Sequence, residues 1–245
     1  MDTTLAHVLD RAIQHVDEFF DDIFAALEEW RPRLQQKLST AIRFGSLSGA
    51  QLTNLIEDDA QKFLSAASLP LYGAGYCASE NIVSNGNPLA WWQGPNRTLL
   101  SSSTFGPGQA AIDLARLEWY RVPHSSGKQH IAGPFVDYLC SNEITVTSSL
   151  PIELDGVFSG VICADVLVSS LEDVLLPELA QLPGAAIVNS SGRVAISTLV
   201  DYETGDRLPH WDSESGGHHD AVAHKVRSKH HPFAIVVPQA HVRAS

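Results

Sequence analysis

Apolar residues recur at Leu9, Ile13, Val16, Phe20, Ile23, Leu27, Trp30, Leu34 and Leu38, always three or four positions apart. That spacing draws one stripe along a helix and predicts that the helix packs over its whole length. Asp17, Glu18, Asp21, Asp22, Glu28 and Glu29 fall away from the stripe and predict a solvated face. Pro32 is expected to kink or divide the helix near Trp30. A stripe this regular could form a homodimer or lie against the rest of the chain.

The run Gly45-Ser46-Leu47-Ser48-Gly49 breaks the pattern, and Ser48 followed by Gln51 is a capping-box signature. Leu52, Leu55, Ile56, Phe63 and Leu64 then predict a second amphipathic helix to about residue 68. Short β-like runs follow at 71–78, 89–93 and 98–104, with a short helix at 109–120. Residues 144–154 and 157–166 flank Asp155-Gly156, the strongest hairpin signal in the chain. A helix at 169–182 containing Pro177, a second hairpin at 185–189 and 193–198, and a last strand at 233–237 complete the series. Residues 201–228 are rich in Gly, Ser, His and acids and read as a long loop. The class is α+β: long helices first, then an antiparallel sheet of five or six strands. The expected organisation is a helical segment over 1–45, then one ligand-binding domain over 46–245 with a loop-rich, His-rich C-terminal region.

A net charge of −12 opposes an electrostatic grip on nucleic acid and biases the protein weakly toward cationic small molecules. No apolar run approaches the roughly 20 residues of a membrane span, and the acidic N-terminus is unlike a signal peptide. Cys77, Cys140 and Cys163 are odd in number and widely spaced, as free thiols in a reducing compartment would be. These features together predict a cytoplasmic protein without a membrane partner. G-x-S-x-G, P-loop, H-E-x-x-H and C-x-x-C signatures are absent, so the expectation is not an enzyme and no cofactor. Seven of eleven histidines lie at or beyond His210, but none pairs at i, i+4, so a solvated loop is the reading and not a metal site.

The chemistry gathers between Leu89 and Val166. Trp91-Trp92, Glu118-Trp119-Tyr120, Phe135-Val136-Asp137 and Asp165 at the end of an apolar strand can build a box for an ammonium group. Aromatic faces attract a cation, and a carboxylate fixes it by charge-assisted hydrogen bonds. Only one of the consecutive Trp91 and Trp92 can face such a pocket from a strand, and Trp92 is the expected one. The simpler alternatives are core packing for Trp92 and Trp119, a solvent-exposed Glu118, and a strand-end or capping role for Asp165.

Trp119-Tyr120, Gly133-Pro134-Phe135-Val136-Asp137, Ile144-Thr145-Val146-Thr147 with Pro151-Ile152, Gly160-Val161 with Asp165-Val166, and Val188-Asn189 with Gly192-Arg193-Val194 occur in that order. The series resembles the Cache family of sensor domains over roughly residues 71–198. The resemblance implies a PAS-like antiparallel sheet behind a long N-terminal helix, here in a stand-alone cytoplasmic form. It also implies that Trp119, Tyr120, Asp137 and Asp165 meet a ligand's amine, with Phe135 where a tyrosine is common. The arginine that would hold a ligand carboxylate is replaced by Leu117, and Arg116 is turned about 100° away on a helix. The expected ligand is therefore an amine without a carboxylate: a biogenic amine, a polyamine or a quaternary ammonium compound.

The resulting expectation is a small-molecule sensor with the binding set Trp119, Tyr120, Asp137, Asp165, Glu118, Phe135 and Trp92, signalling through a partner protein, with a possible homodimer through the N-terminal helix. An enzyme acting on an amine, or a dimeric helical scaffold with an unused pocket, are the alternatives.

Overall fold

A computed structural model describes residues 3–65, 68–100, 113–137, 142–182, 184–209, 211–212 and 222–238. Helix α1 runs without interruption from Thr3–Ala41. All nine stripe residues are buried, joined by Ala12, Phe19 and Phe24. The chain's own packing therefore covers the stripe. Pro32 lies inside the helix and does not divide it. The fully buried Trp30 and Leu34 anchor the helix on either side of the proline and offset its lost hydrogen bond.

Two compact units share the chain. The first comprises Asp22–Ala132 and Val136–Leu167. It holds β1 (Leu47–Ser48), α2 (Gly49–Leu64), β2 (Gly73–Ala78), β3 (Val83–Asn85), β4 (Leu89–Gln93), β5 (Thr98–Leu99), α3 (Glu118–Ser126), most of β6 (His130–Val136), β7 (Ile144–Leu154) and β8 (Val157–Leu167). The sequence signals at the start are met as written. Ser48 Oγ accepts from the Gln51 amide while Gln51 Oε1 accepts from the Ser48 amide, which closes the capping box of α2. The main sheet has the order β5-β4-β2-β8-β7-β6. Its long hairpin, β7–β8, turns at Asp155 (φ 51°) and Gly156 (φ 77°). Two successive left-handed residues match the right-handed twist of the flanking strands, which is why Asp-Gly is favoured there.

The second unit comprises Met1–Asp21, Gly133–Phe135 and Val168–Ser245. Its elements are α4 (Val168–Leu179), β9 (Ala186–Asn189), β10 (Val194–Ser197), β11 (Val222–Arg227) and β12 (Phe233–Pro238). They form an antiparallel sheet ordered β10-β9-β12-β11 over a core of Ala186, Val188, Val194, Leu199, Leu208, Ala234 and Val236. Asn189 organises its tight hairpin: Oδ1 accepts from the amides of Ser191 and Arg193, and Nδ2 donates to Gly133 O at 2.7 Å.

The fold is α+β with a long N-terminal helix and antiparallel sheet, as the pattern implied. The expected sheet of five or six strands is the six-stranded main sheet; a further four-stranded sheet belongs to the other unit, and the chain passes between units at Asp21/Asp22 and Leu167/Val168. The loop expected over 201–228 contains β11, an edge strand whose half-buried residues lack the alternation that marks a strand in sequence. Strand β6 was likewise unmarked, its run being broken by Gly133-Pro134. The predicted helix at 109–120 lies partly outside the described residues. Within them, a 3-10 turn spans Leu114–Arg116 and α3 begins at Glu118, so Trp119 and Tyr120 open a helix where they were expected to end one.

Candidate functional site

Strand register builds the floor of the site. Gly73 pairs with Asp165 on one side and Gln93 on the other, and Gly75 pairs with Cys163 and Trp91. Thr147 stands opposite Asp165. Alternation then puts Trp91, Asp165 and Thr147 on one face of the main sheet, with bare glycines between them. The glycines are a steric requirement. A Cβ on Gly75 would lie 2.3 Å from Ala90 O, and one on Gly73 would meet Asp165 Oδ2 at 3.1 Å and Trp91 Nε1 at 3.2 Å.

Asp165 is 3% exposed. Its Oδ1 accepts a 2.6 Å hydrogen bond from the Thr147 hydroxyl. Burial pushes its carboxyl up to about 7; the Thr147 hydrogen bond opposes that, the nearby Asp137 charge adds to it, and the Trp91 indole N–H facing it opposes it more weakly. A carboxyl with that environment gains by receiving a cation. Among the described residues no lysine or arginine pairs with it.

Helix α3 packs against β7 and β8 and supplies aromatic rings over this floor. The Trp119 ring lies 5.7 Å from Trp91 and 6.3 Å from Tyr120, which meets it edge-on. Tyr120 also meets Phe158 edge-on at 5.5 Å. Both Trp119 and Tyr120 are buried, and burial pushes the Tyr120 phenol up, with Cys77 and Glu80 adding to the effect, so it is a neutral donor at any physiological pH. Cys77 and Cys163 are free, buried thiols on the same sheet face. Cys140 lies outside the described residues.

Of the residues singled out from sequence, Trp119 and Tyr120 adjoin one another with Trp119 against Trp91, and Asp137 and Asp165 interact through their charges. Asp137 follows β6, half-buried, and its charge is felt at Asp165. Trp92 does not join them. It pairs with Ala74, one residue out of phase with Gly73 and Asp165, and is fully buried on the opposite face, while Trp91 takes the position expected of Trp92. Glu118 also stands apart: its exposed carboxylate bonds His130 Nε2 at 2.9 Å. As the first residue of α3, its side chain leaves the helix ahead of the two buried aromatics. Phe135 is half-buried in the short piece of β6 that groups with the second unit. Arg116, the cation preceding the aromatic pair in sequence, is exposed and pairs with Asp113 at 3.0 Å. Thr147 was missed; the signal available for it was its even spacing from Thr145 and Ser149, a polar stripe on one face of the strand.

No family model and no curated protein matches the sequence. Solved structures do. The ligand-binding domain of the Pseudomonas fluorescens chemoreceptor CtaA, in complex with L-valine, superposes with a TM-score of 0.65 at 14% identity, covering 97% of this chain and 96% of that one. This protein has the fold of a chemoreceptor ligand-binding domain. The ligand-binding domain of the Pseudomonas aeruginosa amino acid chemoreceptor PctB with L-Arg gives 0.61 at 14% identity, covering 99% and 97% of the two chains. That of PctC with GABA gives 0.59 at 14% identity, covering 96% and 99%. At such identities the likeness to these sensor domains is one of fold. The Cache resemblance read from the ordered motifs agrees with it.

Proposed function

We propose that the protein is a small-molecule sensor module whose first unit captures the ammonium group of an organic ligand. The observation that carries this is Asp165: a carboxyl buried on a sheet face, without a basic partner among the described residues, beside Trp91, whose ring meets Trp119. The rings supply cation–π attraction and Asp165, with Asp137, the charge. The ligands named for the structural neighbours, L-valine, L-arginine and GABA, all carry an ammonium group, which supports the reading.

The ligand class we favour is an amine without a carboxylate. Leu117 caps α3 where the family resemblance calls for an arginine, and Arg116 is turned to Asp113. The neighbours' own ligands favour a second reading, an amino acid whose carboxylate is held by backbone amides. Binding would be passed to a partner protein through an equilibrium between two states of the module, shifted by the ligand's differential affinity for them. Association through α1 would use its acidic face, because the apolar stripe is buried in the chain. The buried free thiols fit a reducing, cytoplasmic setting.

A thermal-shift and calorimetric screen of mono-amines, polyamines, quaternary ammonium compounds, amino acids and carboxylates tests this. Stabilisation by amines alone supports the favoured class, and stabilisation by amino acids supports the second reading. Stabilisation by carboxylates alone, or turnover of a bound amine, would overturn the assignment as an ammonium sensor.

A further inference from the structure

In the second unit, the turn between β11 and β12 is tied to the N-terminal half of α1 by a set of groups that the ligand site does not use. Asp21 receives two imidazoles: His230 Nδ1 lies 2.8 Å from Oδ2 and His231 Nε2 lies 3.0 Å from Oδ1. One helical turn earlier, Asp17 Oδ1 accepts from the Ser228 hydroxyl. Ser228 Oγ in turn accepts from the amides of both His230 (3.1 Å) and His231 (2.7 Å), so the turn is wound around that one oxygen. The two histidines differ in setting. The His230 side chain is 56% exposed and that of His231 is 2% exposed. The His231 ring packs against Phe20 at 5.7 Å, and Phe20 stacks on Phe233 at 5.0 Å.

We propose that this Asp21–His230–His231 cluster is a pH-gated clasp that holds α1 to the β11–β12 turn, closed when His230 is protonated and His231 is neutral. One carboxylate can neutralise one imidazolium while accepting a neutral N–H from the second ring. Two imidazoliums would share a single counter-charge, with one of them buried. The other charges facing the cluster are Asp17 from α1 and Lys229 from the turn itself. The two protonation equilibria support the geometry. The hydrogen bond to Asp21 and its charge raise His230, whereas burial lowers His231 despite the same carboxylate. Burial of Asp21 works against its charge, but the hydrogen bonds and charges of the two histidines together outweigh it and leave Asp21 lowered.

The signs set a window. A raised His230 stabilises the folded state fully below about pH 6.5, its unfolded value, and that contribution is lost as pH rises through the folded value. A lowered His231 stabilises above about pH 6.5, and that contribution is lost as pH falls through its folded value. The clasp is therefore tightest near neutrality and loosens on both sides.

The test uses the full chain and two readouts. Melting temperature across pH 5–9 is measured for the wild type and for His230→Gln and His231→Gln, and the imidazole protons of the wild type are titrated by NMR. Expected are a melting-temperature difference between wild type and His230→Gln that shrinks by a few degrees on the alkaline side, and one between wild type and His231→Gln that shrinks on the acid side. Should His231→Gln not fold, the wild-type NMR titration decides alone: His230 must titrate above His231. Melting profiles that stay parallel across pH, or two imidazoles titrating together, would overturn the clasp.

Discussion

The two units are both built on antiparallel sheets, yet they treat polar groups in opposite ways. The main sheet of the first unit buries Thr145, Thr147, Ser148, Ser149 and Asp165, and lets α3 close aromatic rings over one face. The smaller sheet of the second unit is apolar throughout its core and keeps its polar groups at the hairpin and the β11–β12 turn, where they bond to one another. A buried carboxyl without a counter-ion opposes folding, so the first unit gives up stability for a site while the second makes no such sacrifice. That contrast is why the proposed ligand site is assigned to the first unit.

The comparison breaks most directly at Asp165. Asp165→Asn is expected to weaken binding of an ammonium ligand tenfold or more, from the roughly 1.5–3 kcal/mol of a charged hydrogen bond, while leaving the melting temperature of the unliganded protein equal or higher at pH 8. Calorimetry and a thermal melt on the same sample check both halves. Lost stability without lost affinity would make Asp165 structural.

The pH dependence follows from the same carboxyl. Because it is raised from 3.8 to about 7, the folded state holds a proton that the unfolded state has released between those values. The contribution of Asp165 to the stability of the free protein therefore falls as pH rises from about 4 to about 7. Affinity for a cation runs the other way, rising toward pH 7 and levelling above it. Affinity that is flat between pH 5 and 8 would separate Asp165 from the ligand.

The tryptophan pair sharpens the contrast between the two faces of the main sheet. Trp91→Phe should weaken ligand binding several-fold by removing the indole N–H beside Asp165 and part of the aromatic surface, and Trp92→Phe should lower the melting temperature with affinity unchanged. Titrations that rank the two variants the other way would reverse the face assignment.

The second unit should respond in stability alone. Asn189→Ala removes hydrogen bonds that hold its hairpin and is expected to cost about 1–2 kcal/mol in denaturant melts, with the ligand affinity of the first unit intact. Smallest of all, Ser48→Ala opens the capping box of α2 for about 1 kcal/mol.

Much of this is legible in the sequence alone. The stripe from Leu9 to Leu38 needs only the helical period, the α2 cap needs two side chains three residues apart, and the Asp155-Gly156 turn needs two residues that tolerate positive φ. Each is a local rule. The chemistry of the site was legible in kind as well, since an acid ending an apolar strand near an aromatic pair is costly unless it has a use.

The chain's pattern thus determined the class of fold, the long helix, the principal hairpins and the residue types that the proposed site draws on. Tertiary structure decided the rest. Alternation says that Trp91 and Trp92 face opposite ways, but which one meets Asp165 depends on register with β2, a neighbour separated from β8 by about 80 residues. An edge strand such as β11 has no buried face of its own to print a period, so pairing with β12 reveals it. The joining of Asp21 to His230 and His231 spans more than 200 residues of chain, and no local rule reaches that far. Long-range pairing is a property of the folded backbone, and it sets which of the chain's polar groups become a site.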